Sequence, residues 1–222
     1  MVRLNFEFAI DEFYHVFNHG NGDRLIFLDD KDKRHFTHLL FLTNGSNTFE
    51  FSDLNLASIY QFDRGETLVD VGAWCLMDNH YHFLLKEKVE KGVVKFIQRL
   101  FSAYTMYFNA KYKKRGSLFE GRFKAKPVEF DEYLKHLFAY IHLNPAKMVK
   151  PDWKEGKLAG NQKVWDHLNI YKFSSYHDYL ERDRPEKVIL NKAAFPEYFN
   201  NPKEVEEDML DWLNFGDWSY FS

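Results

Sequence analysis

The sequence predicts an α+β domain, and three observations lead there. Runs rich in aromatic and β-branched residues, at 6–18 and as a hairpin-like pair at 69–77 and 80–86, read as strands. Apolar residues at helical spacing fill three longer stretches. Hydrophobic residues make up 45% and aromatics 18% of the 222 residues, enough for a sizeable core in one compact domain with an appendage. The single cysteine, Cys75, excludes an intramolecular disulfide, and no apolar run approaches the roughly 18 residues of a membrane-spanning helix. No basic segment followed by an apolar one opens the chain, so no secretory signal is expected and the cytoplasm is the default location.

The elements follow in order. The first strand, 6–18, runs into His19-Gly20-Asn21-Gly22, a turn composition. Asp29 or Asp30 caps a helix to about Leu42, with Phe36, Leu39 and Leu40 as its apolar stripe. Residues 43–65 read as a connection with a short strand candidate at 48–51. The hairpin turns at Asp78-Asn79. Val93, Ile97, Leu100, Tyr104, Tyr107 and Phe108 then mark a long helix that reaches Arg115 and stops at Gly116. A basic, glycine-punctuated loop leads to Val128. The next helix is capped by Asp131 and must end near Asn144, because Pro145 disfavours helical geometry in the residue before it. Beyond Lys150 the chain is loop-rich, with helix-like stretches at 174–180 and 203–213.

The net charge of −3 argues against indiscriminate coating of nucleic acid, but its distribution is uneven. Twelve lysines and arginines stand against three glutamates between residues 86 and 126, whereas ten acids face five bases from 181 to the end. A basic centre and an acidic tail suit either an anionic ligand bound centrally or a solvated helix face balanced elsewhere.

Strand alternation places the imidazoles of His80 and His82 on one face and Tyr81 on the other. Two neutral imidazoles can hold a divalent cation, although a chance His-x-His is common in a chain with ten histidines. On the helix after Asp131, His136, Tyr140 and Asn144 share one stripe, apart from the stripe of Leu134, Leu137, Phe138 and Ile141. A phenol with a pKa near 10 is a poor nucleophile unless a metal polarises its target, and an amide oxygen one turn away can complete that metal's shell. The plainer reading is a tyrosine half-buried on an amphipathic helix.

Five segments in register carry a resemblance. They are Tyr14-His15-Val16-Phe17-Asn18-His19-Gly20-Asn21, Ile26-Phe27-Leu28-Asp29-Asp30, Met77-Asp78-Asn79-His80-Tyr81-His82-Phe83-Leu84-Leu85, Gly116-Ser117-Leu118-Phe119-Glu120-Gly121-Arg122-Phe123-Lys124 and Tyr140-Ile141-His142-Leu143-Asn144-Pro145. Together with Ser174-Ser175-Tyr176-His177-Asp178-Tyr179-Leu180, they resemble REP-associated tyrosine transposases and related single-strand insertion-sequence transposases of the HUH superfamily. Asp78 stands where such transposases typically carry proline.

The resemblance implies a ferredoxin-like antiparallel sheet with helices on one face, the histidine pair on a central strand and the tyrosine on a helix beside it. It divides the chain into a transposase domain, 1–150, and a C-terminal extension, 151–222, packed on or capping it. It further implies Mg²⁺ or Mn²⁺ held by His80, His82 and Asn144, where ligand chemistry alone would suggest zinc for an imidazole pair. The expected activity is single-stranded DNA cleavage and strand transfer, with Tyr140 as nucleophile, a 5′-phosphotyrosine intermediate and His136 assisting proton transfer. The expected partner is single-stranded DNA containing a hairpin, with no membrane. Its phosphates would lie on Lys111, Lys113, Lys114, Arg115, Arg122, Lys124 and Lys126, and unpaired bases on Phe119 or Phe123. Two alternatives stand beside this: a catalytically silent nucleic-acid-binding domain on the same fold, and a metal-dependent hydrolase that forms no covalent intermediate.

Overall fold

The computed structural model describes residues 6–154, 161–215 and 218. Four strands form one antiparallel sheet: β1 (Phe13–His19), β2 (Val69–Leu76), β3 (His80–Glu87) and β4 (Lys124–Pro127), in the spatial order β2-β3-β1-β4. Helix α1 (Asp30–Leu42) joins β1 to β2, and α2 (Gly92–Tyr112) joins β3 to β4. This is the expected ferredoxin-like arrangement. After β4 come α3 (Asp131–Leu143), a 3₁₀ turn at Asn144–Met148, α4 (Gln162–Ile170), α5 (Tyr176–Tyr179) and α6 (Pro202–Phe215).

Strand alternation separates two cores. Tyr14 and Val16 of β1, with Tyr81, Phe83 and Leu85 of β3, pack against Phe36, Leu40, Phe96, Leu100 and Tyr104 of α1 and α2. Ala73, Cys75 and Leu84 face the other way, into a second core built from Leu137, Phe138 and Ile141 of α3 together with Val164, Leu168, Tyr176, Val205 and Met209. Thus α1 and α2 cover one face, while α3 and the segments after residue 160 cover the other. The β2 edge is covered too: Leu76 N donates to Phe173 O at 2.9 Å and Ser175 N to Trp74 O at 2.8 Å. Beyond Val71, Gly72 admits the ring of Phe195 where a Cβ would come within 2.5 Å of it.

Several expectations change. β1 begins at Phe13, not residue 6. The 48–51 strand candidate forms no strand among the described residues; a 3₁₀ turn at Phe51–Asp53 stands there, and Phe49 and Phe51 pack on the core. Helix α2 ends at Tyr112, because Lys113 takes a left-handed conformation (φ 53°) and Lys114 N bonds to Asn109 O at 3.0 Å, closing the helix before Gly116. The loop expected to lead to Val128 contains β4, and α4 lies in a region expected to be loop-rich.

Candidate active site

The face of the sheet that meets α3 brings three histidines together. His82 lies opposite Phe17 in register, and His80 opposite His19. The His80 and His82 rings are 5.1 Å apart between centroids. His15 Nε2 and His82 Nδ1 share a buried hydrogen bond of 2.9 Å. His80 Nδ1 donates to Asn79 Oδ1 at 2.7 Å, an oxygen that can only accept, so the His80 lone pair resides on Nε2. Burial keeps these rings neutral: it lowers His80 to about 4 against a partial offset from Asn144, lowers His15 to about 3 with help from Lys126 and Lys154, and holds His82 well below the usual imidazole range.

Tyr140 presents its ring edge-on to His82, 5.2 Å between centroids. Asn144 caps α3 one turn later; its Nδ2 donates to Tyr140 O at 2.9 Å, and its side chain lies close enough to those of His80 and Tyr140 to influence the titration of both. Burial raises the Tyr140 phenol above 10, with the Asn144 hydrogen bond pulling the other way. The residue is 7% exposed, with Trp153 stacked on it at 6.4 Å and Trp218 tilted against it at 6.1 Å. Lys154 reaches over the ring, its Nζ 4.5 Å from the centroid and 3.4 Å from the hydroxyl. His80, His82, Tyr140 and Asn144 are therefore one constellation.

His136 is displaced from it. The four-residue step from His136 to Tyr140 spans about 6 Å of helical rise, and that distance carries the imidazole to the Trp212 ring of α6, 4.1 Å between centroids, beside Phe130 and Tyr133.

The basic residues divide. Lys124 and Lys126 sit on β4 opposite Phe17 and His15, hence on the site's own face. The chain leaving α2 crosses the His19 end of β1, where Glu120 N bonds to His19 O at 2.9 Å, and Lys113, Lys114, Arg115 and Arg122 stand exposed along it. Lys111 is engaged elsewhere: Nζ lies 2.6 Å from buried Asp32 and 3.0 Å from Asp29. Phe119 is corrected as a base platform, since it is buried and stacked on Phe101 at 4.1 Å, and Phe123 is half-buried against Phe8. Asp78 turns away from the histidines to pair with Lys33 of α1 at 2.7 Å.

Sequence reasoning missed His15, Lys147 and Lys154. His15 had a signal, a polar side chain alternating with Tyr14 and Val16, but its partner depends on strand register. The two lysines reach the site only through the turn after α3.

Among the described residues, no three of histidine, cysteine, aspartate and glutamate cluster as a metal site. The candidate donor set is two imidazoles and an amide. It fits a divalent cation on one observation: the Nδ1 atoms of both rings are hydrogen-bonded, which leaves Nε2 as the candidate donor atom of each.

No curated protein matches the chain. Among solved structures, one described as the REP-associated tyrosine transposase bound to a REP hairpin aligns over 90% of this chain and 100% of its own, with 10% identity and a TM-score of 0.48. The family model described as "Transposase IS200 like" matches residues 36–144, a span that holds His80, His82, Tyr140 and Asn144. Over those 109 residues, just under half of the chain, the sequence is similar to the IS200-like transposase family.

Proposed function

We propose that the protein cleaves single-stranded DNA and transfers the cut strand through a 5′-phosphotyrosine on Tyr140, with Mg²⁺ or Mn²⁺ held by His80, His82 and Asn144. The observation that carries this reading is Tyr140 set against His82, with Asn144 bonded to the Tyr140 backbone and its side chain beside both the tyrosine and His80.

When bound, the cation supplies positive charge to a non-bridging oxygen of the scissile phosphate. The remaining roles belong to the chain. Asn79 holds His80 in the tautomer with its lone pair on Nε2. His82 acts as a ligand when its Nδ1–H donates to His15 Nε2. Tyr140 Oη attacks phosphorus, the Oη–P bond forms as the P–O3′ bond breaks, and the 3′ oxygen leaves with a proton. Attack by a later 3′ hydroxyl reverses the step and rejoins strands. Bond energy is conserved, so no nucleotide cofactor is needed. Lys124 and Lys126 stand where phosphates flanking the site would pass, and Lys113, Lys114, Arg115 and Arg122 extend that path.

A second reading, a nucleic-acid-binding domain that does not cut, is favoured by the burial of Tyr140 beneath Trp153 and Trp218. One experiment separates the two. The protein is mixed with hairpin oligonucleotides from the flanks of its own gene and Mg²⁺ or Mn²⁺, and a denaturant-resistant adduct is sought. The expected adduct disappears in Tyr140→Phe and His80→Ala. Metal-dependent cleavage that survives Tyr140→Phe would turn the reading to a hydrolase, and binding without cleavage to the silent domain.

A further inference from the structure

We propose that Lys154 takes the phenolic proton of Tyr140 as the tyrosine attacks and returns it when the strand is rejoined, an assignment that rests on Tyr140 being the nucleophile. The geometry carries it. Lys154 Nζ lies 3.4 Å from Oη and 4.5 Å from the ring centroid, so one amine spans both the face and the hydroxyl of the same side chain. Such a separation is at the long end for proton transfer, and catalytic pairs of this kind tighten when substrate binds.

Among the described residues, the other candidates fail on chemistry or position. Asn144 reaches the hydroxyl, but an amide has no basic nitrogen. His136, the base the sequence suggests, is packed on Trp212. His82 has Nδ1 engaged with His15 and offers Nε2 as a ligand.

The setting also makes Lys154 a usable base. Burial, then the nearby charges of Lys147 and Lys126, lower its ammonium from 10.5 to about 8. Among the described residues, the titratable groups that face it are Tyr140 on α3, Lys147 on the 3₁₀ turn, Lys126 on β4, His15 on β1 and His82 on β3. The two imidazoles are neutral and the two lysines repel, so a fraction of Lys154 is free amine near neutral pH. In the forward step the Oη–H bond breaks with its proton passing to Nζ, the Oη–P bond forms, and the 3′ oxygen leaves and takes a proton from water. In the reverse step the attacking 3′ hydroxyl gives its proton to water, and the ammonium protonates the departing phenolate.

The test compares wild type, Tyr140→Phe, Lys154→Gln and Lys154→Arg in single-turnover adduct formation with Mn²⁺ across about pH 6 to 9.5, a range that brackets the working pKa of such a base. DNA affinity and circular dichroism are measured alongside. In parallel, the lysine ε-carbon signals of the metal-free protein are titrated by NMR, with Lys154→Arg assigning the resonance. The expected wild-type rate rises with pH through an inflection near 8, matched by a Lys154 resonance that titrates near 8. Both lysine variants bind DNA and keep the fold, but slow adduct formation about 10²- to 10⁴-fold and lose the inflection. Full activity in Lys154→Arg would mean that only positive charge is needed and would overturn the assignment, as would an unchanged profile in Lys154→Gln or a resonance titrating at the ordinary lysine value. Absence of a Tyr140-dependent adduct from wild type would instead bring down the function reading, and this assignment with it.

Discussion

His82 is buried and neutral, and its Nδ1 is tied to His15. A ligand ring held in this way has its orientation and tautomer set by its neighbour, and losing such a neighbour weakens metal binding by about 10–100-fold. We expect His15→Ala to reduce Mn²⁺ affinity by that factor, read by calorimetry or by the electron paramagnetic resonance of free Mn²⁺. Unchanged affinity would mean that His82 is not a ligand or needs no support. The residues legible in the sequence were those placed by a local period. Alternation set His80 and His82 on one face, and helical spacing aligned Tyr140 with Asn144. His15 and Lys154 were not legible, because the first depends on pairing between β1 and β3 and the second on where a turn returns after α3. Helical spacing also placed His136 on the stripe, and only the position of α6 shows that this turn of the helix faces Trp212.

At the level of elements, the longest helix is held at its start by a residue of another element. Lys91, in a left-handed conformation, offers no side-chain cap to α2. Glu87, the last residue of β3, serves instead: its carboxylate accepts from Gly92 N at 2.9 Å and Val93 N at 2.8 Å. Removing both acceptors strands two amides at a buried helix end, so Glu87→Ala should destabilise the fold by about 2–4 kcal/mol and Glu87→Gln, which keeps one carbonyl acceptor, by about half that. Urea unfolding measures both, and an alanine variant as stable as wild type would show that water replaces the cap. The helices and the hairpin were readable because each carries its own apolar period. β4 was not: Lys124-Ala125-Lys126-Pro127 has no strand pattern of its own and is a strand only because β1 offers it an edge. The same holds for residues 173–175, whose pairing comes from the free edge of β2.

Over the whole molecule, buried imidazoles sit at the joins between layers. His15 and His82 lie between the sheet and α3, and His142 of α3 hydrogen-bonds through Nε2 to Ser175 Oγ at 2.7 Å, while that hydroxyl also accepts from Trp74 N of β2 at 2.8 Å. No local period announces such joins, which is why the packing of the segments after residue 160 could not be read ahead of the structure. Their titration gives the molecule a direction of acid sensitivity. Burial lowers His15 and His142 to about 3 and His80 to about 4, while in the unfolded chain each protonates near 6.5. Between those values the unfolded chain binds protons that the folded chain refuses, so stability is intact above pH 6.5 and falls as pH drops below it. Each such imidazole costs about 1.4 kcal/mol per pH unit within its window. Asp178, whose carboxyl burial raises to about 6, works the other way but is one group against several. The unfolding free energy from urea titrations should therefore fall steeply between about pH 6.5 and pH 4.5, and His142→Asn should flatten the slope by about 1 kcal/mol per pH unit. A stability that stays level across that range would mean that the imidazoles accept protons in place, and that the layers part at the joins without the rest of the fold unfolding.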